Sequence, residues 1–139
     1  DAVFVTTKIV LPWMMEAKNG AIVNIASVVG LKGVSYMSGY GAAKAGLINF
    51  SRASAIEAAP FVRVNCIIPG AVETPATKRA IPSDEMMEAT AQSIPLKRIA
   101  HPDEIAHPII FLLSNDASFI TGSSLIVDGG KTADLNAGN

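Results

Sequence analysis

A length of 139 residues suits one domain, and the composition, half apolar with 17% charged residues where an ordinary soluble domain has about 25%, excludes a disordered segment or a coiled coil. Eleven Lys and Arg against twelve Asp and Glu leave a formal net charge of −1, with no basic run to hold a phosphate backbone, so nucleic acid is not an expected partner. The longest apolar stretches, such as Ile109 to Leu113, fall far short of the roughly 20 residues of a membrane span, and no charged-then-apolar leader opens the chain. A soluble protein without membrane association is expected, and one cysteine, Cys66, fits a reducing, cytoplasmic compartment.

The first residue is Asp1, not Met, and the mean hydropathy of +0.37 is high for so short a chain. Small domains have more surface per volume and should carry more polar residues. Residues 1–139 are therefore expected to be a segment of a larger domain, whose other half or a partner covers the apolar surface.

In chain order, Asp1 to Lys18 reads as a helix with apolar residues around most of its circumference, implying burial on more than one side, and Pro12 should bend it. Asn19-Gly20 supplies its stop through positive φ. Ala21 to Ala26 is a short apolar, β-branched run, the pattern of a buried parallel strand. Gly30 and Gly33 mark a loop, and Ser38 is placed to cap a helix from Gly39 to Ala59 that stops before Pro60. Gly41 and Gly46 weaken that helix, which close backbone approach would explain as well as simple tolerance.

Val62 to Ile68 is the second strand, ended by Pro69-Gly70. A proline-punctuated stretch follows, with a short helix from Ser83 to Ser93, and has the character of a lid. Pro102 opens a helix with Asp103 and Glu104 in its first turn, running to about Ser114, with Pro108 expected to bend it. Ser124 to Val127 is the last strand, Asp128-Gly129-Gly130 a turn, and Lys131 to Asn139 a polar tail expected to fray. Alternating helices and strands give an α/β fold, a parallel sheet wrapped by helices. Three strands are half of the usual six, and ligands of such sheets bind beyond the carboxyl ends of their strands.

The loops to search therefore follow Ala26, Ile68 and Val127. Ser27 stands after the first strand, and Tyr40 and Lys44, four apart, share one face of the next helix. A tyrosine is a poor proton-transfer group near neutrality until a cation stabilises its phenolate, and an ammonium one turn away can do that. Ser27 could then bond a substrate oxygen beside the phenol. A Tyr-x-x-x-Lys pair alone is a weak signal and reads as surface helix. The joint arrangement, with Ser27 thirteen residues before Tyr40 (40 − 27) and Pro-Gly ending the next strand, makes chance a poor explanation.

His101 and His107 are six apart, which misses the spacing of a helical metal pair, so both read as structural and no metal site is expected. Cys66 reads as a small strand hydrophobe. Met37, Met86 and Met87 could line an adaptable apolar pocket, or belong to the core. Gly33-Val34-Ser35-Tyr36 continues with Met37, so the nucleophile elbow Gly-x-Ser-x-Gly fails, and Leu47 stands where a phosphate loop needs lysine after Gly41 and Gly46.

With IVNIAS, YGAAK, RVNCIIPGAVET and ASFITGSSLIVDGG in place, the sequence resembles the short-chain dehydrogenase/reductase family over nearly its whole length. The resemblance implies the C-terminal catalytic and substrate-binding part of a Rossmann-type doubly wound sheet that uses NAD or NADP. It implies hydride transfer between nicotinamide and a secondary alcohol or its ketone. Tyr40 would exchange the hydroxyl proton, Ser27 would orient the substrate oxygen, and Lys44 would favour the phenolate and bind the nicotinamide ribose. Pro69, Gly70, Val72 and Thr74 fall on the element that holds the nicotinamide ring and its carboxamide, although Thr74 could instead cap the first turn of the lid.

By the same comparison the glycine-rich phosphate loop belongs to an N-terminal nucleotide-binding half absent here, and a catalytic asparagine would lie about two residues before position 1. Asn24, inside its strand, is expected to bond a neighbouring strand or loop. The segment alone is expected to be inactive. The resemblance further implies a homodimer or homotetramer formed through the helices Asp1 to Lys18 and Gly39 to Ala59. A second reading is a non-catalytic binding or oligomerisation module, against which the intact Ser27, Tyr40 and Lys44 argue.

Overall fold

The computed structural model describes residues 2–134. In chain order these form α1 (Ala2–Glu16), β1 (Gly20–Ile25), a 3-10 turn (Val28–Gly30), α2 (Ser38–Ala58) and β2 (Val62–Pro69), then α3 (Pro75–Ala80), α4 (Asp84–Gln92), α5 (Asp103–Leu113) and β3 (Ser124–Val127). The three strands form one parallel sheet in the order β1-β2-β3. Helices pack on both of its faces.

The middle strand organises the core because its side chains alternate between the two faces. Val62, Val64, Cys66 and Ile68 point to one side, where α2 contributes Ile48, Ala55 and Ala58 and α1 contributes Leu11, Met14 and Met15. Ile67 points to the other side and meets Ile105 and Leu112 of α5 with Ala117. The polar residues on that second face are engaged too. Arg63 donates to the carbonyls of Leu112 (2.7 Å) and Ser114 (2.9 Å), which an α-helix leaves unbonded at its C-terminus. Asn65 donates to Ile120 O and accepts from Ser123 N–H, fixing the entry to β3.

Several local expectations change in the tertiary setting. The left-handed stop of α1 is Lys18, at φ 54°, with Asn19 N–H bonded to Met14 O and Lys18 N–H to Met15 O. That double bond pattern can hold a lysine where glycine is the usual choice, which frees Gly20 to begin β1. Ser38 is the first residue of α2, and Met37 occupies the cap position without a side-chain bond. β1 is only partly buried, since it forms one edge of this three-stranded sheet. Gly41 is a site of close approach, where an added Cβ would lie 3.1 Å from Val29 O, whereas Gly46 faces open space.

Within this chain α1 is covered on one side only. Its inner face packs, but Phe4, Val5, Ile9 and Trp13 are exposed, Trp13 by 66%, so burial on more than one side does not occur among the described residues. No described helix is long and apolar enough to cross a membrane.

Candidate active site

The carboxyl end of β1 lies against that of β2. Ile25 pairs with Ile67, and the ladder continues one residue further through Ala26 N–H to Ile67 O at 2.8 Å. Ser27 therefore leaves the sheet beside Ile68 and Pro69. Its backbone is extended and its side-chain oxygen accepts from Val29 N–H at 3.3 Å, so it caps the 3-10 turn. The hydroxyl proton remains available as a donor.

Helix α2 presents Tyr40 and Lys44 to this rim. The Lys44 ammonium donates to Ile25 O at 2.8 Å and lies 5.6 Å from the centroid of the Tyr40 ring. That carbonyl belongs to the last residue of β1, so one bond fixes both the lysine and the height of the helix on the strand. Lys44 has two further N–H groups. Tyr40 is 45% exposed and so within reach of a ligand. A cavity of about 350 Å³, bounded by Val29, Leu31, Val34, Met37, Gly41 and Ala45, opens beside the same turn of helix. Met37 thus lines a cavity, while Met86 is exposed on α4.

A buried polar pair sits one residue back from the rim. Asn24 (6% exposed) donates to Ser51 Oγ (1% exposed) at 2.9 Å, and Ser51 donates to Leu47 O within α2. Asn24 thus bonds a helix, not a neighbouring strand or loop. A strand side chain bonded 27 residues along the chain leaves no local pattern, and sequence reading missed it. Burial pushes the neighbouring Cys66 thiol up, against the downward effect of its bond with Ser51, so it packs as a small neutral group.

Beyond β2 the chain turns at Pro69 and Gly70. Gly70 N–H donates to Val127 O at 2.9 Å, and a Cβ there would come within 2.9 Å of Asp128 Cα, so only glycine fits. Val72 bridges to Ala100 in parallel fashion. Thr74 caps α3, accepting from Thr77 N–H at 3.1 Å. Thr77 Oγ1 spends its proton on Val72 O at 2.6 Å, so in the 3.0 Å contact between the two hydroxyls Thr74 is the donor. Thr74 Oγ1 then keeps one lone pair for a ligand, as an acceptor. α3 itself was not foreseen: residues 75–80 read as irregular because Pro75 and Pro82 bracket only six helical positions.

The histidines have structural roles or none. His101 accepts from Asp103 N–H, and its own N–H bonds Glu104 Oε2 at 2.9 Å through the backbone. Among the described residues no group of three His, Cys, Asp or Glu could hold a metal ion.

The family model described as enoyl-(acyl carrier protein) reductase matches residues 1–132. The 3-oxoacyl-[acyl-carrier-protein] reductase FabG of Chlamydia muridarum is 48% identical over 118 residues, 84% of this chain and 47% of that protein. The chain belongs to the short-chain dehydrogenase/reductase family. Cyclopentanol dehydrogenase of Comamonas testosteroni is another relative of this reductase-family chain, 39% identical over 133 residues, 95% of this chain and 53% of that one. Among solved structures, levodione reductase superposes with a TM-score of 0.92 at 38% identity, covering 96% of this chain and 54% of that one. ElxO with NADP bound gives 0.85 at 32% identity, covering 92% and 52%. The chain thus spans about half the length of the curated relatives it matches.

Proposed function

We propose that the complete protein containing this chain is an NAD(P)-dependent oxidoreductase that moves a hydride between nicotinamide and a secondary alcohol or its ketone, and that this chain is its C-terminal catalytic part. What supports the reading is that Lys44, beside the Tyr40 ring, is anchored to Ile25 O at the carboxyl end of β1, two residues before Ser27. Nicotinamide supplies the hydride chemistry when bound.

The chain's own groups handle the proton and the orientation. Ser27, its oxygen already accepting from Val29 N–H, donates to the substrate oxygen and holds it beside the phenol. In the oxidising direction Tyr40 Oη takes the hydroxyl proton, with the Lys44 ammonium 5.6 Å from the ring centroid. In the reducing direction Tyr40 returns it. The two Lys44 N–H groups not bonded to Ile25 suit a ribose diol, and the remaining lone pair of Thr74 suits a carboxamide N–H, which is the fit that nicotinamide requires. Pro69, Gly70 and Val72 would form the wall between them, with Gly70 tight against Asp128.

Exposed Phe4, Ile9, Trp13 and Ile56 on α1 and α2 support assembly as a homodimer or homotetramer through those helices, which a sedimentation mass would check. The decisive experiment is NAD(P)-linked turnover of a small panel of cyclic alcohols and 3-oxoacyl thioesters by the complete protein. Turnover abolished by Tyr40→Phe with nucleotide binding intact supports the reading; turnover indifferent to that change defeats it. The 139-residue chain by itself should show none.

A further inference from the structure

The lid, residues 75–92 with α3 and α4, has no buried residue in either helix, so its placement depends on its two roots. It leaves the sheet at Gly70 and returns through residues 93–96, and both roots meet one turn, residues 128–132 after β3. On the outgoing side Gly70 N–H bonds Val127 O and its α-carbon packs on Asp128. On the returning side Gly129 O accepts from Leu96 N–H at 3.2 Å, and the Lys131 ammonium donates to Ser93 O at 3.0 Å. An added Cβ on Gly129 would lie 2.6 Å from Ile94 Cγ2. The roots also bond each other, through Ala100 N–H to Ala71 O and Glu73 N–H to Ala100 O.

One side chain stiffens that turn. Asp128 Oδ1 accepts from Gly130 N–H at 2.9 Å, and Oδ2 accepts from both Thr132 N–H at 2.7 Å and Thr132 Oγ1 at 2.6 Å. Partial burial acts upward on its carboxyl, but the bonds from Thr132 and the turn amides outweigh this and hold it below the ordinary carboxylate range. Three donors converge on an acceptor-only group. The expected fraying of the tail from Lys131 therefore does not begin there; residues 135–139 lie outside the described residues.

We propose that Asp128 is a positioning residue for the lid: by locking the turn that holds both lid roots, it sets where the lid stands over the carboxyl rim and so the affinity for substrate, without touching the reacting atoms. The consequence for affinity rests on the oxidoreductase reading above; the consequence for the lid does not. In Asp128→Asn, Nδ2 replaces an acceptor that serves two Thr132 donors. Local opening free energies set exposure to proteases, and α3 carries tryptic sites at Lys78 and Arg79.

The test uses the complete protein, limited trypsin digestion followed by mass spectrometry, and steady-state kinetics with NADH and NADPH over the same panel of cyclic alcohols and 3-oxoacyl thioesters. Asp128→Asn should speed cleavage at Lys78 and Arg79 about tenfold and raise the substrate KM by a similar factor, with kcat within about threefold and sites outside the lid still protected. Thr132→Val and Lys131→Ala, each removing one bond at the turn, should give smaller changes in the same direction, and Thr132→Ser should match the parent. Should Asp128→Asn not fold, the Thr132→Val and Lys131→Ala variants decide. Unchanged lid cleavage, or cleavage rising evenly along the chain, overturns the proposal. A parent protein without turnover with either nucleotide across that panel defeats the oxidoreductase reading, and the digestion still judges the lid.

Discussion

The β1–α2 unit and the lid stand at the same rim and are held in opposite ways. α2 buries Ile48, Ser51, Ser54, Ala55 and Ala58 and is bonded to β1 through Asn24 and through Lys44. α3 and α4 bury nothing fully and are kept by end caps, Thr74 on one and Ser83 on the other. The difference teaches that the side chains of α2 at the rim sit where packing and buried polar bonds hold geometry closely. A segment with no buried side chain can instead open at low local cost.

The largest effect should come from the rigid unit. Tyr40→Phe in the complete protein is expected to lower kcat by about 10²–10⁴-fold, the usual contribution of a positioned acid-base group, with little change in thermal stability because the ring is exposed. A variant that retains turnover within tenfold would remove the basis for assigning chemistry to that unit. Next in size, Arg63→Met leaves the carbonyls at the end of α5 without their donor and should cost about 2–4 kcal/mol, since bonds to a charged group are the stronger kind. Urea unfolding measures it, and a midpoint equal to the parent's would show that the α5 face is not held from β2.

Gly70→Ala sharpens the comparison at the boundary. The added methyl meets the Asp128 backbone and should cost about 1–3 kcal/mol as an overpacked site; calorimetry reads it, and a neutral result would mean the lid root yields freely. Ser83→Ala removes the bond to Met86 N–H at 3.2 Å and should weaken α4 by about 1 kcal/mol. Hydrogen exchange should then quicken at the first amides of α4 while global melting stays put. Faster exchange across α2 as well would erase the distinction between the two regions.

The smallest effect concerns the exposed pair beside the lid exit. Arg98 binds Glu104 through two 2.6 Å bonds and, with the His101 N–H, holds its carboxyl at about 2. A folded-state value below the unfolded one adds stability that is present above the unfolded value and lost as pH falls through the folded one. The melting-temperature difference between parent and Glu104→Gln should therefore be constant above about pH 5 and shrink from about 4.5 toward 2. A difference that grows on acidification contradicts the pairing.

Apart from α3, the order of elements was legible because each carries its own period or punctuation: the β-branched run of β2, the stop before Pro60, and Pro102 followed by Asp103 and Glu104. The rim residues were legible because Tyr40 and Lys44 are one helical turn apart and Ser27 directly follows a strand. Asn24 with Ser51, Arg63 on the end of α5, and Asp128 at the lid roots were not, for one reason. Their partners lie across the fold, and a single asparagine, arginine or aspartate looks alike in every such role. α1 marks the complementary limit, since apolar composition shows what a face could bury, not what covers it.

By itself the sequence determined the α/β order, the parallel three-strand sheet and the side chains available at its carboxyl edge, because hydrophobic period and turn chemistry act over a few neighbouring residues. Only the tertiary structure decided that Lys44 is anchored to Ile25, that Asn24 bonds Ser51, and that both roots of the lid rest on the turn after β3. Those are contacts between residues far apart in the chain, and their energies come from desolvation and distance, which exist only once the chain has folded.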